Sequence, residues 1–319
     1  MARAAVGEHR TIPPPGDRRP GAAPRTLMDI CPICPSVGRV DPLLTPPQDA
    51  PHPPTLDELL RRADTAARAG DWTAAARAWL EAGGRHGADV SAGLEHAASH
   101  LDDRADAGDA AAAGVLALMV AEFIGDLPAA ADYARVAAEG GDPLGQRIRG
   151  FLLCEGHGVE RDEDAGTRWT RRAADQGDPI ALLNLAGSVP QREGDMLLAL
   201  AAGLGVERAG ARLGDRLSER DQDEAALRWY VWAAERGHAG SMRAAADWYR
   251  EGFGGRPDPT SAVRWYLTLL AHGDGDGVHE AIDVVREHGL SDGDVRAAAT
   301  LAGRPSAADS LLSAVRRAG

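Results

Sequence analysis

Few residues in this 319-residue chain have the type and spacing to do chemistry, and each candidate lacks a part. Cys31-Pro-Ile-Cys34 would supply half of a tetrahedral zinc site, or a redox pair if it opened a helix beside a strand. Its surroundings are proline-rich, His52 is the nearest further ligand, and the third cysteine, Cys154, falls on the apolar face of a helix. His96 and His100 have the i, i+4 spacing that places two imidazoles on one helix face, with Asp103 nearby, but the glutamate of an HExxH motif is missing. Asp274-Gly-Asp276-Gly opens like a calcium loop and then offers Val278 where an oxygen ligand is needed, so it reads as the N-cap of a helix over 277–287. No serine sits in GxSxG, no GxGxxG follows a strand, and a phosphate-binding GxxxxGK[ST] cannot exist in a chain without lysine. The carboxylate pairs Asp102/Asp103 and Asp162/Asp164 read as helix-start residues favoured by the macrodipole. The expectation is no catalytic residue, no cofactor and no metal. A metal-dependent regulatory protein or enzyme using Cys31/Cys34 or the His96/His100 pair stands as the alternative.

Charge narrows the partners. All 35 basic residues are arginine, against 48 acids, for a net charge of −13. Residues 1–54 hold six arginines and five acids, so the negative charge lies in the rest of the chain. Phosphate binding needs a basic face, which excludes nucleic acid as the expected partner. No run of 18 apolar residues exists and the N-terminus lacks a signal-peptide pattern, which predicts no membrane segment and a cytoplasmic location. The alanine-, glycine- and arginine-rich composition is that of a GC-rich genome, such as an actinobacterial one.

Thirteen of the 20 prolines lie in residues 1–54, a segment expected to be disordered or extended, with Met28 as a possible start. From Thr55 the pattern turns helical. Thr55 and Glu58 form a capping box before Leu56, Leu59 and Leu60. Asp71 caps a helix carrying Trp79, and further helices are expected near 89–101 and 110–124.

The clearest pattern is residues 237–273. A helix over 239–251 ends at Gly252, Gly254 and Gly255, and Pro257 prevents its continuation. A second helix, capped by Thr260 or Ser261, places Ala262, Trp265, Tyr266 and Leu269 on one stripe. Such a hairpin cannot bury its own face and must stack on copies of itself. The copies are marked by Gly141, Gly177, Gly205, Gly237 and Gly273, each preceded by eight residues by a large apolar side chain: Tyr133, Trp169, Leu197, Trp229 and Trp265. Small pairs such as Ala173/Ala174 and Ala233/Ala234 follow at a constant offset.

At these residues the chain resembles the Sel-one-like repeat family, relatives of the tetratricopeptide repeats. Unit 141–177 matches through Gly150, Gly156, Gly158, Val159, Gly166, Trp169, Ala173 and Gly177, and unit 237–273 through Tyr249, Gly252, Gly254, Ala262, Trp265 and Gly273. The units ending at Gly205 and Gly237 lack the GxGV turn, so the array is expected to be irregular, with a possible bend, near 178–220. The resemblance implies an all-α solenoid, a right-handed superhelix of stacked hairpins over 55–290 with capping helices over 291–319. It also implies an interaction scaffold for a protein or peptide, bound where first helices line the concave side. On the helix over 239–251, Arg243, Asp247 and Arg250 share a face, and Arg147 is the equivalent of Arg243 on the earlier unit; these four are the candidate partner-binding residues.

Overall fold

The computed structural model of the protein describes residues 43–273 and 275–317; Cys31, Cys34 and Met28 lie outside them. Among the described residues there are sixteen α-helices and no strand. They are α1 (Leu56–Arg68), α2 (Trp72–His86), α3 (Ser91–Asp106), α4 (Ala110–Met119), α5 (Leu127–Glu139), α6 (Pro143–Glu155), α7 (Glu163–Asp175) and α8 (Pro179–Leu185). The second half comprises α9 (Gln191–Gly203), α10 (Glu207–Ser218), α11 (Asp223–Glu235), α12 (Ala239–Glu251), α13 (Pro259–Leu269), α14 (Gly277–His288), α15 (Asp292–Leu301) and α16 (Ala307–Arg317). A π turn over Val120–Ile124 extends α4, and a 3₁₀ turn over Leu270–His272 extends α13.

From α1 to α14 each helix packs against the next; α15 packs on α13, and α16 on α14 and α15. Beyond its chain neighbours, α4 also touches α2 and α6. The protein is therefore an all-α solenoid, with α6, α8, α10 and α12 as first helices and α7, α9, α11 and α13 as their seconds. Trp79 and Gly87 place α2 among the second helices by phase, and it packs most extensively on α1, as α5 and α13 do on α4 and α12; α3 follows it outside the pairs, and α2 also touches α4.

Five junctions between helices use the same two positions, while after Gly205 the N-cap Val206 makes no side-chain cap bond. A glycine with positive φ stops one helix, and the next residue caps the following one: Gly70 before Asp71, Gly108 before Asp109, Gly141 before Asp142, Gly177 before Asp178 and Gly237 before His238. The Asp142 carboxylate, for example, accepts from Gly145 N at 2.7 Å. Local chemistry thus sets both ends of a helix before any packing is chosen.

The glycines of the turn inside a unit have a different task. Gly158 (φ +70°) and Gly254 (φ +73°) back onto the start of the second helix one unit earlier, where an added Cβ would lie 2.3 Å from Leu127 O and 2.6 Å from Asp223 O. The GxG turn is therefore a unit-to-unit contact as well as a bend.

Several expectations need correction. Asp258, followed by Pro259, caps α13 in place of Thr260 or Ser261, since its carboxylate accepts from Ser261 N. Asp276 stands at the N-cap position of α14 with helical dihedrals and makes no side-chain cap bond. Asp162 and Asp164 do open α7, but Asp102 and Asp103 lie near the end of α3, where Asp102 accepts from Tyr133 Oη at 2.6 Å. Trp229 and Trp265 are 0 % and 2 % exposed, as the phase predicts. Trp169 is only half-buried, with the Arg172 guanidinium 4.4 Å over its ring. Residues 43–54, expected to be disordered, lie against the helices through bonds from α2 and α11.

Gly158→Ala should lower stability by about 2–5 kcal/mol, the sum of a left-handed backbone cost and a backbone clash. Gly70→Ala, at φ +75° with open space around it, should cost only about 1–2 kcal/mol. Equilibrium urea unfolding of both variants checks the difference. By the same measurement Trp265→Ala should cost about 3–5 kcal/mol and the half-exposed Trp169→Ala distinctly less.

Candidate functional site

The four candidate partner-binding residues lie on α6 and α12, and every one already bonds to a neighbouring helix. Arg243 Nη1 donates to both carboxylate oxygens of Glu280 on α14, at 2.9 and 2.8 Å. One turn-pair further on, Arg250 Nη2 does the same to Glu287, at 2.7 Å to each oxygen. Asp247, between them, accepts from Tyr266 Oη on α13. Burial and that carboxylate both raise the Tyr266 pKa, so the phenol stays a donor. Arg147 Nε lies 3.3 Å from the Asp178 carboxylate that caps α8. The i, i+7 spacing of Arg243 and Arg250 thus meets an i, i+7 pair of glutamates one unit away.

This stripe is one case of a wider rule, in which an arginine of one unit reaches an acceptor of another. Arg77 on α2 meets Asp142 at 3.1 Å. Asp195 on α9 is 1 % exposed and held by Arg216 and Arg220, while Arg216 also donates to Ala186 O. A buried carboxylate is tolerable only when compensated in this way. Guanidinium suits the task because it carries several donors in a rigid fork and never loses its charge. Tyrosines repeat a second theme: Tyr133, Tyr230 and Tyr266 each donate to an aspartate of a preceding helix.

The alternative site has another use. His96 and His100 project from α3 onto Trp72, with ring centroids 4.7 and 4.5 Å away, the first edge-on and the second stacked nearly parallel to the indole. Their rings are engaged in aromatic packing, and among the described residues no group of three or more His, Cys, Asp or Glu is arranged to hold a metal ion. Cys154 is half-buried on α6, and burial pushes its thiol pKa up, which works against a thiolate nucleophile. Among the described residues no helix is long and apolar enough to cross a membrane.

Stacked helical pairs bridged by arginine forks define an α/α repeat protein. More particularly, residues 143–178, 208–238 and 239–274 match the Sel1 repeat, so the chain carries three such repeats. The matches omit 179–207, where α8 is reduced to seven residues. Among solved structures the fold is similar to that of c5321, a protective antigen of uropathogenic Escherichia coli with an SLR fold, at 19 % identity and TM-score 0.58 over 78 % of this chain. The chain spans 60 % of that protein's length. A Sel1 repeat protein from Oxalobacter formigenes is similar at 17 % identity and TM-score 0.53, over 80 % of this chain and 95 % of its own. No curated protein sequence matches. Sel1 repeats generally serve as protein-interaction scaffolds.

The cap of α12 makes the candidate face sensitive to pH. His238 Nδ1 accepts from Ser241 N at 3.1 Å, which requires an unprotonated Nδ1, and burial holds its pKa below the ordinary 6.5. A histidine with a lowered folded pKa contributes stability that is present above pH 6.5 and is lost as pH falls through the lowered value. The unfolding midpoint in urea should therefore drop between pH 7 and 5, by an amount equivalent to about 0.5–2 kcal/mol. His238→Asp, which restores the cap used at Asp142 and Asp178, should flatten that drop.

Proposed function

We propose that the protein is a noncatalytic scaffold of the cytoplasm that holds a partner protein or peptide on the face of its first helices, with Arg147, Arg243, Asp247 and Arg250 at the contact. The observation that supports this reading most directly is the row of alternating charge running from α12 to α14, whose members are paired yet remain partly exposed. A polar peptide laid across such a row would accept from the guanidiniums and donate to the carboxylates, a kind of complementarity that contributes specificity and association rate more than affinity. The net negative charge of the chain disfavours nucleic acid in that position.

Crosslinking pull-down from the native cell, read by mass spectrometry, should recover a protein partner. Arg147→Glu together with Arg243→Glu should then weaken its binding at least tenfold. Because Arg243 also ties α12 to α14, the swap Arg243→Glu with Glu280→Arg separates the roles: it should restore the unfolding midpoint and leave binding impaired. Unchanged affinity in variants with an intact helical spectrum would remove this face from consideration.

A further inference from the structure

Residues 43–54 form a proline-rich strap across the helices, and the way they are held is specific. Four carbonyl oxygens of the strap accept from side chains of α11 and its C-cap. Trp229 Nε1 donates to Leu43 O at 2.8 Å, Arg228 Nε to Leu44 O at 3.2 Å, Trp232 Nε1 to Pro47 O at 2.9 Å and Arg236 Nη2 to Ala50 O at 3.0 Å. Pro46 and Ala50 are buried in the contact, whereas Thr45, Gln48 and Asp49 face solvent. Gly205, at φ +90°, makes room at the next turn, since a Cβ there would stand 2.9 Å from Pro51 O. Beyond it, Pro54 O lies 3.0 Å from His86 Nε2 at the end of α2.

The chemistry of this surface is one-sided. Indole and guanidinium groups are donors only. Prolines have no N–H, and five of the twelve strap residues are proline, so such a peptide offers carbonyls with few donors to satisfy. Thr45, Pro46, Ala50, His52 and Pro53 each precede a proline, which biases them toward extended backbone. Recognition is thus of backbone acceptors at extended spacing plus two small buried side chains, and the outward residues are not read. The groove also has an unmet need: Arg236 is 7 % exposed, its guanidinium lies 4.2 Å over the Trp232 ring, and its buried Nε has no hydrogen-bond partner.

We propose that the α11 surface built from Arg228, Trp229, Trp232 and Arg236 is a binding site for an extended proline-rich peptide of a partner protein, occupied in the isolated chain by residues 43–51. This site lies on a second helix and shares no residue with the first-helix face proposed above, so either can fail alone. The tethered strap competes at the high effective concentration of an intramolecular ligand and lowers the apparent affinity for any free peptide.

The test uses the full chain and a fluorescein-labelled peptide of residues 43–54, followed by fluorescence anisotropy. Ala50→Arg, which cannot fit its buried position, should expel the tethered strap and bind the free peptide at least tenfold more tightly than the unaltered chain. The double change Pro46→Gly and Pro47→Gly loosens the strap without inserting bulk and serves if Ala50→Arg lowers the helical signal. Adding Trp232→Phe or Arg236→Gln to either variant should reduce peptide binding at least fivefold with the helical spectrum preserved. Failure of both loosened variants to bind the peptide, or binding indifferent to Trp232 and Arg236, would overturn the proposal and leave the strap as fixed structure. A strap-exchanged dimer of the unaltered chain in light scattering would overturn the assignment to a partner in favour of a second copy.

Discussion

The passage from one unit to the next depends on a glycine that stops one helix and a following residue that caps the next. The positive φ at Gly141, Gly177 and Gly237 costs little because glycine has no Cβ, and the following Asp142, Asp178 or His238 supplies an acceptor to the orphan N–H groups of the new helix. With the reversal set locally, the apolar stripes of successive helices are delivered to one another, and Trp229, Tyr266 and Leu213 are enclosed where they meet. A hairpin has no core of its own, so stability is a property of neighbouring pairs.

The second layer of organisation is ionic. In a lysine-free chain every cross-unit cation is a guanidinium, and its fork lets one side chain serve two acceptors, as Arg216 does with Asp195 and Ala186 O. The pairs that are partly exposed contribute little each. Their value lies in register: Arg243 and Arg250 meet Glu280 and Glu287 only if α12 and α14 stand in one alignment. The same charges then form the row offered to a partner, so rigidity and recognition draw on one set of side chains.

The strap adds a third principle, in which a helix face is completed by a segment with no secondary structure. Trp229 and Trp232 bury their rings against α10, where Gly210 leaves the space, and turn their N–H groups outward to the strap carbonyls. An indole in that position is amphipathic by design of its chemistry: the ring joins the core and the nitrogen needs an acceptor. Residues 43–50 supply it.

What could be read from the residues alone was whatever short-range chemistry decides. The helix over 239–251, the positive-φ glycines, the phase of Trp229 and Trp265 and the kinship to Sel1 repeats were all legible, because a cap, a C-terminal glycine and a 3.6-residue stripe act within a few positions. A helix near 89–101 was legible as well, but not that α3 stands outside the helical pairs, since a helix's own residues do not say which neighbour it pairs with. Nor was the fate of Arg243 and Arg250, whose i, i+7 spacing defines a shared face without saying whether solvent or another helix covers it. Least legible was the strap: its proline content excludes helix, but the indole donors that order it lie 186 and 185 residues away in sequence. A hydrogen bond between a side chain and a distant backbone carbonyl leaves no periodic trace in either segment, so only the tertiary structure brings the two together.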